Sequence, residues 1–558
     1  MLLKTSRKIF LCFILSWALV AFGQPAWSPV LSLFASVAGY ALFWVIFKEI
    51  VSRKKRFIYS CIWFMCVQAI QLSWMSATAY HGIYILCVYV GVIGWFGVQF
   101  GLLSLLFPLN RNITIFRCAV IASAWVLMEW SRLFFFCGFP FNFCGVALSA
   151  FAISSQLASV IGTLGLSFVV ILVNMFAVRA LLRPSKTRWY MYFGGIGCIY
   201  IFGILHWSYH HWMQGLYKEH YRVALIQTGL KPEEKVPLEG KEESFVSPFE
   251  QWYDILSYLK KQKVEKLDLI VLPEAAIPFG VTQAVYPLED VERILRHMWG
   301  INYKEFLPTL GSFYVKEGVA SNAFWAQAIA NYYQAEFVVG LDDYDKVSAS
   351  SYNAAFHFIP NKEILQRYEK CILVPLGEYL PLLWLKSLVA KYGVFDFATA
   401  GLGAKVFGEK VAVAISICYE ECFGHFMRQG KQKGARLFVN VTNDGWYLPS
   451  KLPKQHFYHA RLRSVENGVP LLRACNTGVT AAIDSLNNIQ AIFSLDELAK
   501  GVLIVDVPLY HYRTLYTFYG DLLIIACCFS VFGFFVLQEV KLVQKLRFIR
   551  KLTLVKKK

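Results

Sequence analysis

Charged side chains are scarce in this sequence of 558 residues. Asp, Glu, Lys and Arg make up only 16% of it, while 57% of the residues are hydrophobic and 16% are aromatic. Soluble globular proteins contain about one quarter charged residues. This shortage excludes an ordinary soluble protein and predicts a membrane protein.

Acidic residues are nearly absent from both ends of the chain. Residues 1–207 and 521–558 hold 23 of the 55 Lys and Arg residues but only four of the 37 acidic residues. The formal charge of +18 therefore comes from basic residues beside apolar segments. Lipid head groups attract such residues, whereas a nucleic-acid-binding protein carries its basic patch on the folded domain. We therefore expect no nucleic-acid partner.

Three patterns typical of other protein classes are also missing. The sequence has no glycine-rich phosphate-binding loop, no internal repeat and no disulfide framework among its 14 cysteines. Ten cysteines lie in or beside apolar tracts, where Cys behaves as a small hydrophobic residue. The other four lie in the polar part of the chain: Cys371, Cys418, Cys422 and Cys475. A secreted disulfide scaffold is therefore a poor fit.

Long apolar tracts, by contrast, are abundant. At about 20 residues per crossing, eight tracts indicate transmembrane helices: 9–23, 27–47, 57–75, 82–107, 118–136, 157–182, 190–207 and 522–538. The first tract has the length of a signal peptide, but further tracts follow it without a convincing cleavage site. The sequence predicts a polytopic α-helical membrane domain of about eight transmembrane helices.

The loops between these tracts alternate in charge. Loops 48–56, 110–117 and 179–188 and the tail from Lys541 are basic, while the alternate loops have no Lys or Arg. Basic loops stay in the cytoplasm, so we expect both termini there and residues 208–520 on the other side.

Two charges stand inside the fifth tract. Glu129 and Arg132 are three residues apart, which is close enough to pair on one helix face. Charges inside a span are either functional or hold the helix bundle together. Both interpretations stay open.

Between residues 221 and 508 the pattern changes to short β-rich runs and amphipathic helices. We expect strands at 223–229, 267–278, 308–315, 353–360, 410–420, 435–444 and 470–484, and helices at 249–263, 422–432 and 454–467. Apolar strands separated by helices indicate an α/β domain with covered sheets. We therefore expect seven transmembrane helices in 1–207, an inserted α/β domain in 208–520, and an eighth helix with a basic tail in 521–558.

Three polar residues adjoin apolar runs of the expected α/β domain. Glu274 follows LIVLP, Lys370 precedes CILVP, and Cys418 follows VAISI. A carboxylate can take a thiol proton, an ammonium group can stabilise an oxyanion, and the sulfur can attack a carbonyl carbon. Taken singly, Cys418 also fits a structural thiol, and Lys370 a surface charge.

The order and context of these residues carry a resemblance. Glu274 in LPEAAIP, Lys370 in YEKCILVPLGEYLP and Cys418 in ISICYEE resemble the Glu-Lys-Cys triad of the nitrilase-like, or carbon–nitrogen hydrolase, superfamily. With the transmembrane tracts and the motifs EWSRLFFFCGFPFNFCG and TNDGWY, the chain resembles the bacterial apolipoprotein N-acyltransferases. The resemblance implies an αββα sandwich for the inserted domain, on the periplasmic side of the inner membrane.

The resemblance also implies a two-stage acyl transfer. Cys418 would take a fatty acyl chain from a phospholipid as a thioester, and the N-terminal diacylglyceryl-cysteine of an apolipoprotein would accept it on its α-amine. Glu274 would be the base and Lys370 the electrostatic stabiliser. Glu378 would orient Lys370, while Tyr419 and Glu420 would shape the site beside the sulfur. No cofactor or metal ion is implied, and we expect a monomer.

The stretch LPLLWLKSLVAKYGVFDF, residues 380–397, supports a lipid substrate. It is too interrupted to span a membrane, but it is rich in Leu, Val, Trp and Phe and carries two lysines. Such segments lie at a membrane interface, so we expect a lid over the site. An ordinary core helix is the alternative.

Three other interpretations remain. Spacing alone allows a metal site from Cys418, Cys422, His425, His456 and His459, although it leaves Glu274 and Lys370 without a role. A membrane-anchored nitrilase-type amidase would pass the same thioester to water. A transporter or structural membrane protein with an inactive nitrilase-like domain would need neither step.

Overall fold

The structure is a computed structural model with a helical region at both ends of the chain and an α/β region between them. It describes residues 2–47, 50, 52–108, 113–238, 240–264, 266–309, 313–345, 349–380, 398–494 and 496–555. Apart from its first residue, the expected lid at 380–397 lies outside the described residues.

Helices occupy all eight apolar tracts. Their bounds are Leu2–Ala21, Pro29–Phe34 continued through the π-helical turn Ala35–Gly39 into Tyr40–Phe47, Arg53–Gln71, Ile85–Ser104, Ile115–Ser131, Ala158–Leu182, Lys186–Leu216 and Leu522–Val555. Within the described ranges, five helices are long and apolar enough to cross a membrane: Pro29–Phe47, Ile85–Ser104, Ala158–Leu182, Lys186–Leu216 and Leu522–Lys545. The chain is a multi-pass membrane protein, while eight crossings stay a prediction.

The two charges of the fifth tract bind other partners. Arg132 Nε donates to Gln99 Oε1 at 3.0 Å, and Glu129 Oε1 accepts from the Cys144 amide at 2.8 Å. No direct salt bridge between Glu129 and Arg132 is present in the described part of the chain. The α-helix Ile115–Ser131 ends before Arg132, which begins a short 3₁₀ turn, Arg132–Phe134.

The helix Ala158–Leu182 is interrupted near its start. Gly162 has φ +65° and ψ −177°, which is not helical, and glycine adopts this left-handed region without strain. A Cβ added at Gly162 would lie 2.3 Å from a ring atom of Tyr516. The regular helix therefore begins again at Thr163.

The α/β region contains two six-stranded sheets and one small sheet. In chain order the strands are β1 His220–Gln227, β2 Leu269–Val271, β3 Tyr286–Pro287, β4 Val315–Lys316, β5 Val319–Ala320, β6 Glu336–Asp345, β7 Ser350–Phe358, β8 Gln366–Glu369, β9 Val406–Phe407, β10 Val413–Ile417, β11 Leu437–Thr442, β12 Leu471–Cys475, β13 Ala481–Ile483, β14 Ile489–Ile492 and β15 Gly501–Pro508. The first sheet has the order β15-β1-β2-β6-β7-β8, the second β14-β13-β12-β11-β10-β9, and the third β3-β5-β4.

Parallel strands form the centre of both large sheets. Strands β1, β2 and β6 are parallel in the first sheet, and β10, β11 and β12 in the second. The carboxyl ends of parallel strands meet at one edge of a sheet, where α/β proteins bind ligands. Residues that follow β2 and β10 therefore lie at such edges.

The two large sheets face each other, and helices cover their outer faces. On β1, Val223 and Leu225 join a core that includes the second sheet, while Ala224 and Ile226 pack beneath helices, as alternation along a strand requires. The helices are Pro248–Lys261, Leu288–Trp299 and Asn322–Tyr333 on the first sheet, and Gly424–Gln432 and Leu452–Asn467 on the second.

The three helices predicted in this region are confirmed at Pro248–Lys261, Gly424–Gln432 and Leu452–Asn467. The predicted strand 267–278 is wrong beyond Val271, because Pro273 cannot donate a ladder hydrogen bond and Ala275 has φ +42°. The sequence did not predict β6, β8, β14 or β15, nor the helices Leu288–Trp299 and Asn322–Tyr333.

Candidate active site

Glu274, Lys370 and Cys418 lie at the ends of three strands. Glu274 is the third residue after β2, Lys370 directly follows β8, and Cys418 directly follows β10. Strands β2 and β8 belong to the first sheet and β10 to the second. Lys370 bonds to Glu274, and the amide of Cys371, next to Lys370, bonds to Glu420, two residues after Cys418. The structure therefore brings the three predicted residues together.

Lys370 is held between two carboxylates. Its Nζ donates to Glu274 Oε1 at 3.0 Å and to Glu378 Oε1 at 2.7 Å. Burial would lower the pKa of Lys370, but Glu274 and Glu378 raise it well above its ordinary value. Glu378 Oε2 also accepts from the Val374 amide at 2.8 Å, which fixes the carboxylate that orients the ammonium group.

Asn353 completes this arrangement, and sequence reasoning missed it. Its Nδ2 donates to Glu274 Oε1 at 2.8 Å and to Glu378 Oε1 at 2.9 Å. The same two oxygens thus receive hydrogen bonds from both Lys370 and Asn353. The amide and the ammonium group together hold two negative charges side by side.

Cys418 is the first residue of a tight turn, Cys418–Cys422, and has φ +52°. Burial raises the pKa of its thiol well above the usual value, and the Glu274 charge raises it further, while the Lys370 ammonium lowers it. The resting group is therefore a thiol. A neighbouring base must remove the proton before the sulfur can attack.

Tyr419 joins the nucleophile turn to the helical region. Its hydroxyl donates to the Gly138 carbonyl at 2.7 Å, and its ring lies 5.7 Å from that of Phe141 at an interplanar angle of 24°. Gly138 and Phe141 belong to the loop after the fifth apolar tract. The residue next to Cys418 thus contacts a loop of the helical region.

Glu420 connects the Cys418 turn to the segment that follows β8 and Lys370. Its carboxylate accepts from the amides of Cys371 at 2.5 Å, Ile372 at 3.2 Å and Ile417 at 2.7 Å. The Tyr368 hydroxyl is a fourth donor at 2.6 Å. Burial raises the pKa of Glu420 to about 7. Its role in the site is therefore to hold backbone segments together.

His456, which the sequence offered only as a possible metal ligand on an expected helix, lies beneath the Cys418 turn. Its Nε2 is 3.1 Å from the Cys418 carbonyl oxygen, and its Nδ1 is 3.0 Å from Asp444 Oδ1. The ligand atoms of Cys418, Asp444 and His456 lie within 4.8 Å of one another. Each ring nitrogen of His456 thus has an oxygen atom within hydrogen-bonding distance.

A second missed residue, Lys235, contacts the backbone of Glu274. Its Nζ donates to the Glu274 carbonyl oxygen at 3.1 Å, and burial lowers the pKa of Lys235 to about 7. The stretch around Lys235 is polar, and nothing in that pattern predicts a buried lysine.

Comparisons with known proteins show the family of the chain. The protein-family model described as Carbon-nitrogen hydrolase matches residues 222–516, and the Apolipoprotein N-acyltransferase N-terminal domain matches residues 17–176. An apolipoprotein N-acyltransferase from Chlamydia pneumoniae is 34% identical over 554 residues, which cover 94% of this chain and 97% of that protein. The chain belongs to the apolipoprotein N-acyltransferase family.

Two further apolipoprotein N-acyltransferases match over nearly their full lengths. The protein from Chlamydia caviae is 32% identical, and the match covers 98% of that protein and 94% of this chain. The protein from Haemophilus ducreyi is 28% identical, and the match covers 98% of that protein and 96% of this chain. Membership of this acyltransferase family confirms the resemblance that the motifs indicated.

Proposed function

We propose that the chain moves a fatty acyl chain from a phospholipid, through a thioester on Cys418, to an apolipoprotein. The acceptor is the α-amine of the N-terminal diacylglyceryl-cysteine. One observation carries the proposal: Lys370 Nζ lies 3.0 Å from Glu274 and 2.7 Å from Glu378, and its charge acts on the Cys418 thiol. A base, a cation and a nucleophile are thus available in one buried place.

The first stage forms the thioester. Glu274 takes the thiol proton, and the sulfur attacks the ester carbonyl carbon of the phospholipid. The C–S bond forms as the carbonyl electron pair moves to oxygen, where the Lys370 ammonium stabilises the charge. The ester C–O bond then breaks, and the lysophospholipid oxygen leaves with the proton from Glu274.

The second stage forms the amide. The neutral α-amine attacks the thioester carbonyl carbon, and Glu274 takes one proton from the nitrogen. The C–S bond breaks, the amide remains on the apolipoprotein, and the sulfur recovers its proton from Glu274. Sulfur is both a good nucleophile and a good leaving group, which suits an acyl group that must be taken up and passed on.

Transfer is favoured over hydrolysis by where the site lies. Tyr419, the residue after Cys418, contacts Gly138 in the loop after the fifth apolar tract, so the site adjoins the helical region. A transporter role has less support, because Arg132 and Glu129 each bond inside the helical region.

The proposal also includes the membrane crossings and the side of the membrane on which the α/β domain lies. All eight long helices cross the membrane, seven in 1–207 and one in 521–558, with an αββα catalytic domain in 208–520. The basic loops support cytoplasmic termini and a periplasmic catalytic domain in the bacterial inner membrane. The proposal keeps the expected monomer.

A thioester trap tests this function. The purified protein is mixed with a phospholipid that carries a labelled acyl chain, quenched in acid, and digested so that the label can be located by mass spectrometry. We expect hydroxylamine-sensitive label on Cys418. Cys418→Ala removes the label, while Cys422→Ala, a control four residues away on a buried cysteine, retains it.

Addition of a diacylglyceryl-peptide completes the test. The label should move to the α-amine of the peptide, and Cys418→Ala should abolish this transfer without loss of membrane insertion. Label released only as free fatty acid would identify a hydrolase. Full transfer by Cys418→Ala would defeat the mechanism.

A further inference from the structure

The backbone of the nucleophile turn needs support that the catalytic triad does not supply. Cys418 has φ +52°, a left-handed conformation that is unfavourable for a residue with a Cβ. Such a conformation persists only when surrounding contacts fix it. The direction of the Cys418 side chain depends on that conformation.

Two side chains hold the Cys418 carbonyl group. Asn440 Nδ2 donates to the carbonyl oxygen at 3.2 Å, and His456 Nε2 lies 3.1 Å from it. A carbonyl oxygen only accepts hydrogen bonds, so Nε2 of His456 must carry a proton. His456 therefore donates to the backbone of the proposed nucleophile.

The other nitrogen of His456 is also a donor. Nδ1 lies 3.0 Å from Asp444 Oδ1, and Glu421 Oε1 lies 3.2 Å from Nε2. Burial would lower the pKa of His456, but Cys422, Asp444 and Glu421 raise it well above its ordinary value. His456 is thus an imidazolium that donates from both nitrogens.

Arg473 balances the acidic groups around His456. Its Nε donates to Glu421 Oε1 at 2.6 Å, and its Nη2 lies 3.6 Å from Asp444 Oδ2. Two cations and two carboxylates therefore share one buried cluster. Removal of the His456 charge would leave the carboxylates with a single partner.

The helix Leu452–Asn467, which carries His456, is fixed to the helical region. All its residues except Lys454 and Tyr458 are buried. Three of its side chains bond to the helical region: Gln455 Oε1 accepts from Trp74 Nε1 at 2.9 Å, Arg461 Nη1 donates to the Ala150 carbonyl at 3.0 Å, and Glu466 Oε1 accepts from the Thr163 amide at 2.8 Å. The position of His456 is therefore set by both regions of the protein.

We propose that His456 is a positioning residue for acyl transfer: it fixes the Cys418 carbonyl from a helix anchored on the membrane region and so aims the sulfur. This inference rests on the proposed function of Cys418 as the nucleophile. His456 touches no reacting atom. Its contribution is the geometry of the attack, where a displacement of about 1 Å lowers a rate by about 100-fold.

Single-turnover thioester formation tests the inference with a matched pair of variants. His456→Leu removes both hydrogen bonds. His459→Leu makes the same change three residues along the same buried helix, where Nε2 has no hydrogen-bond partner among the described residues. We expect about 100-fold slower labelling of Cys418 in His456→Leu, an unchanged KM for the phospholipid, and a rate within about twofold of wild type in His459→Leu.

A conservative variant separates positioning from packing. His456→Gln keeps one amide donor, so its rate should lie between those of His456→Leu and the wild type. If His456→Leu does not fold, Asp444→Asn replaces it, because the loss of one carboxylate weakens the hold on His456. At least tenfold slower labelling in Asp444→Asn would then support the inference.

Clear results would overturn it. One is a wild-type rate of Cys418 labelling in a folded His456→Leu variant, or in Asp444→Asn used in its place. The other is labelling in His459→Leu that is as slow as in His456→Leu. Failure of the proposed function looks different, because the wild type itself would then carry no label on Cys418.

Discussion

Gly340 on β6 lies directly against the backbone of Glu274. A Cβ built on Gly340 would be 2.6 Å from the Glu274 α-carbon and 2.7 Å from the Pro273 carbonyl oxygen. The Gly340 amide donates to that same carbonyl at 3.1 Å, and the Ala276 amide donates to the Gly340 carbonyl at 2.7 Å. The absence of a side chain at Gly340 therefore sets how closely the Glu274 backbone approaches the sheet.

We predict that Gly340→Ala slows thioester formation by about 100-fold, because both clashing atoms belong to the backbone that carries Glu274. Overpacking should also cost about 1–3 kcal/mol of stability, visible as a lower thermal unfolding midpoint. Gly280→Ala is the control, since its nearest contact would be an ordinary 3.6 Å. A wild-type rate in Gly340→Ala would contradict this role of the glycine.

Asn353→Asp should damage the site more than Asn353→Ala does. The asparagine amide donates to Glu274 and Glu378, and an aspartate would instead place a third negative charge beside them with only Lys370 to balance it. We expect at least 100-fold slower thioester formation for Asn353→Asp. For Asn353→Ala, the loss of the hydrogen bonds alone should lower the free energy of unfolding by about 1–3 kcal/mol. Equal rates in the two variants would argue against a charge effect.

Lys370→Met should make the Cys418 thiol less reactive at every pH below its pKa. The ammonium group lowers the pKa of the thiol in the wild type, so its removal raises that pKa, and each unit reduces the thiolate fraction about tenfold. The measurement is the pH profile of Cys418 alkylation by iodoacetamide, followed on the Cys418 peptide. The profile should move to higher pH.

Lys405→Met provides the comparison for that experiment. Lys405 pairs with Glu369 at 2.5 Å, and its side chain is 40% exposed. The same loss of a cation outside the site should leave the Cys418 profile in place. A profile that does not move in Lys370→Met would refute the electrostatic role of Lys370.

Tyr368→Phe should lower stability, and the loss should grow with pH. Burial raises the pKa of Glu420 to about 7 from a usual 4.5, so the folded state binds more protons and stability falls as pH rises between these values. The Tyr368 hydroxyl lowers this pKa. Without the hydroxyl the pKa of Glu420 is higher, so the fall in stability continues above pH 7.

Thermal unfolding at pH 5.5 and pH 8 measures this effect. The difference between wild type and Tyr368→Phe should be larger at pH 8, by about 1–2 kcal/mol for one lost hydrogen bond to a charged group. Tyr303→Phe removes a similar bond to Glu292, at 2.7 Å in a partly exposed place, and should show little pH dependence. Equal pH dependence in both variants would contradict the assignment of this effect to Glu420.

The sequence predicted the residues that end apolar runs and missed those placed by pairing between distant segments. Glu274, Lys370 and Cys418 stand out because each is polar beside a buried strand. Asn353 lies within β7, opposite Asp342 of β6, and its neighbours along the chain do not distinguish it. Its contact with Glu274 depends on a strand order that periodicity does not reveal.

Contacts between the helical region and the α/β region could not be predicted from the sequence either. Tyr419 and Gly138 are 281 residues apart, and only the packed structure places one on the other. His456 belongs to a helix whose existence the sequence did predict, but the predicted helix was assigned a polar face. The burial of nearly that whole helix follows from its position between the α/β region and the helical region.

The interrupted helix has a consequence for how the two regions of the protein join. Thr163 restarts that helix, and its free amide and hydroxyl both bond to Glu466, at 2.8 and 2.7 Å, from 303 residues later in the chain. A helix end in lipid without such a partner costs several kcal/mol for each open amide. The start of this helix in the helical region is therefore closed by a carboxylate that the α/β region supplies.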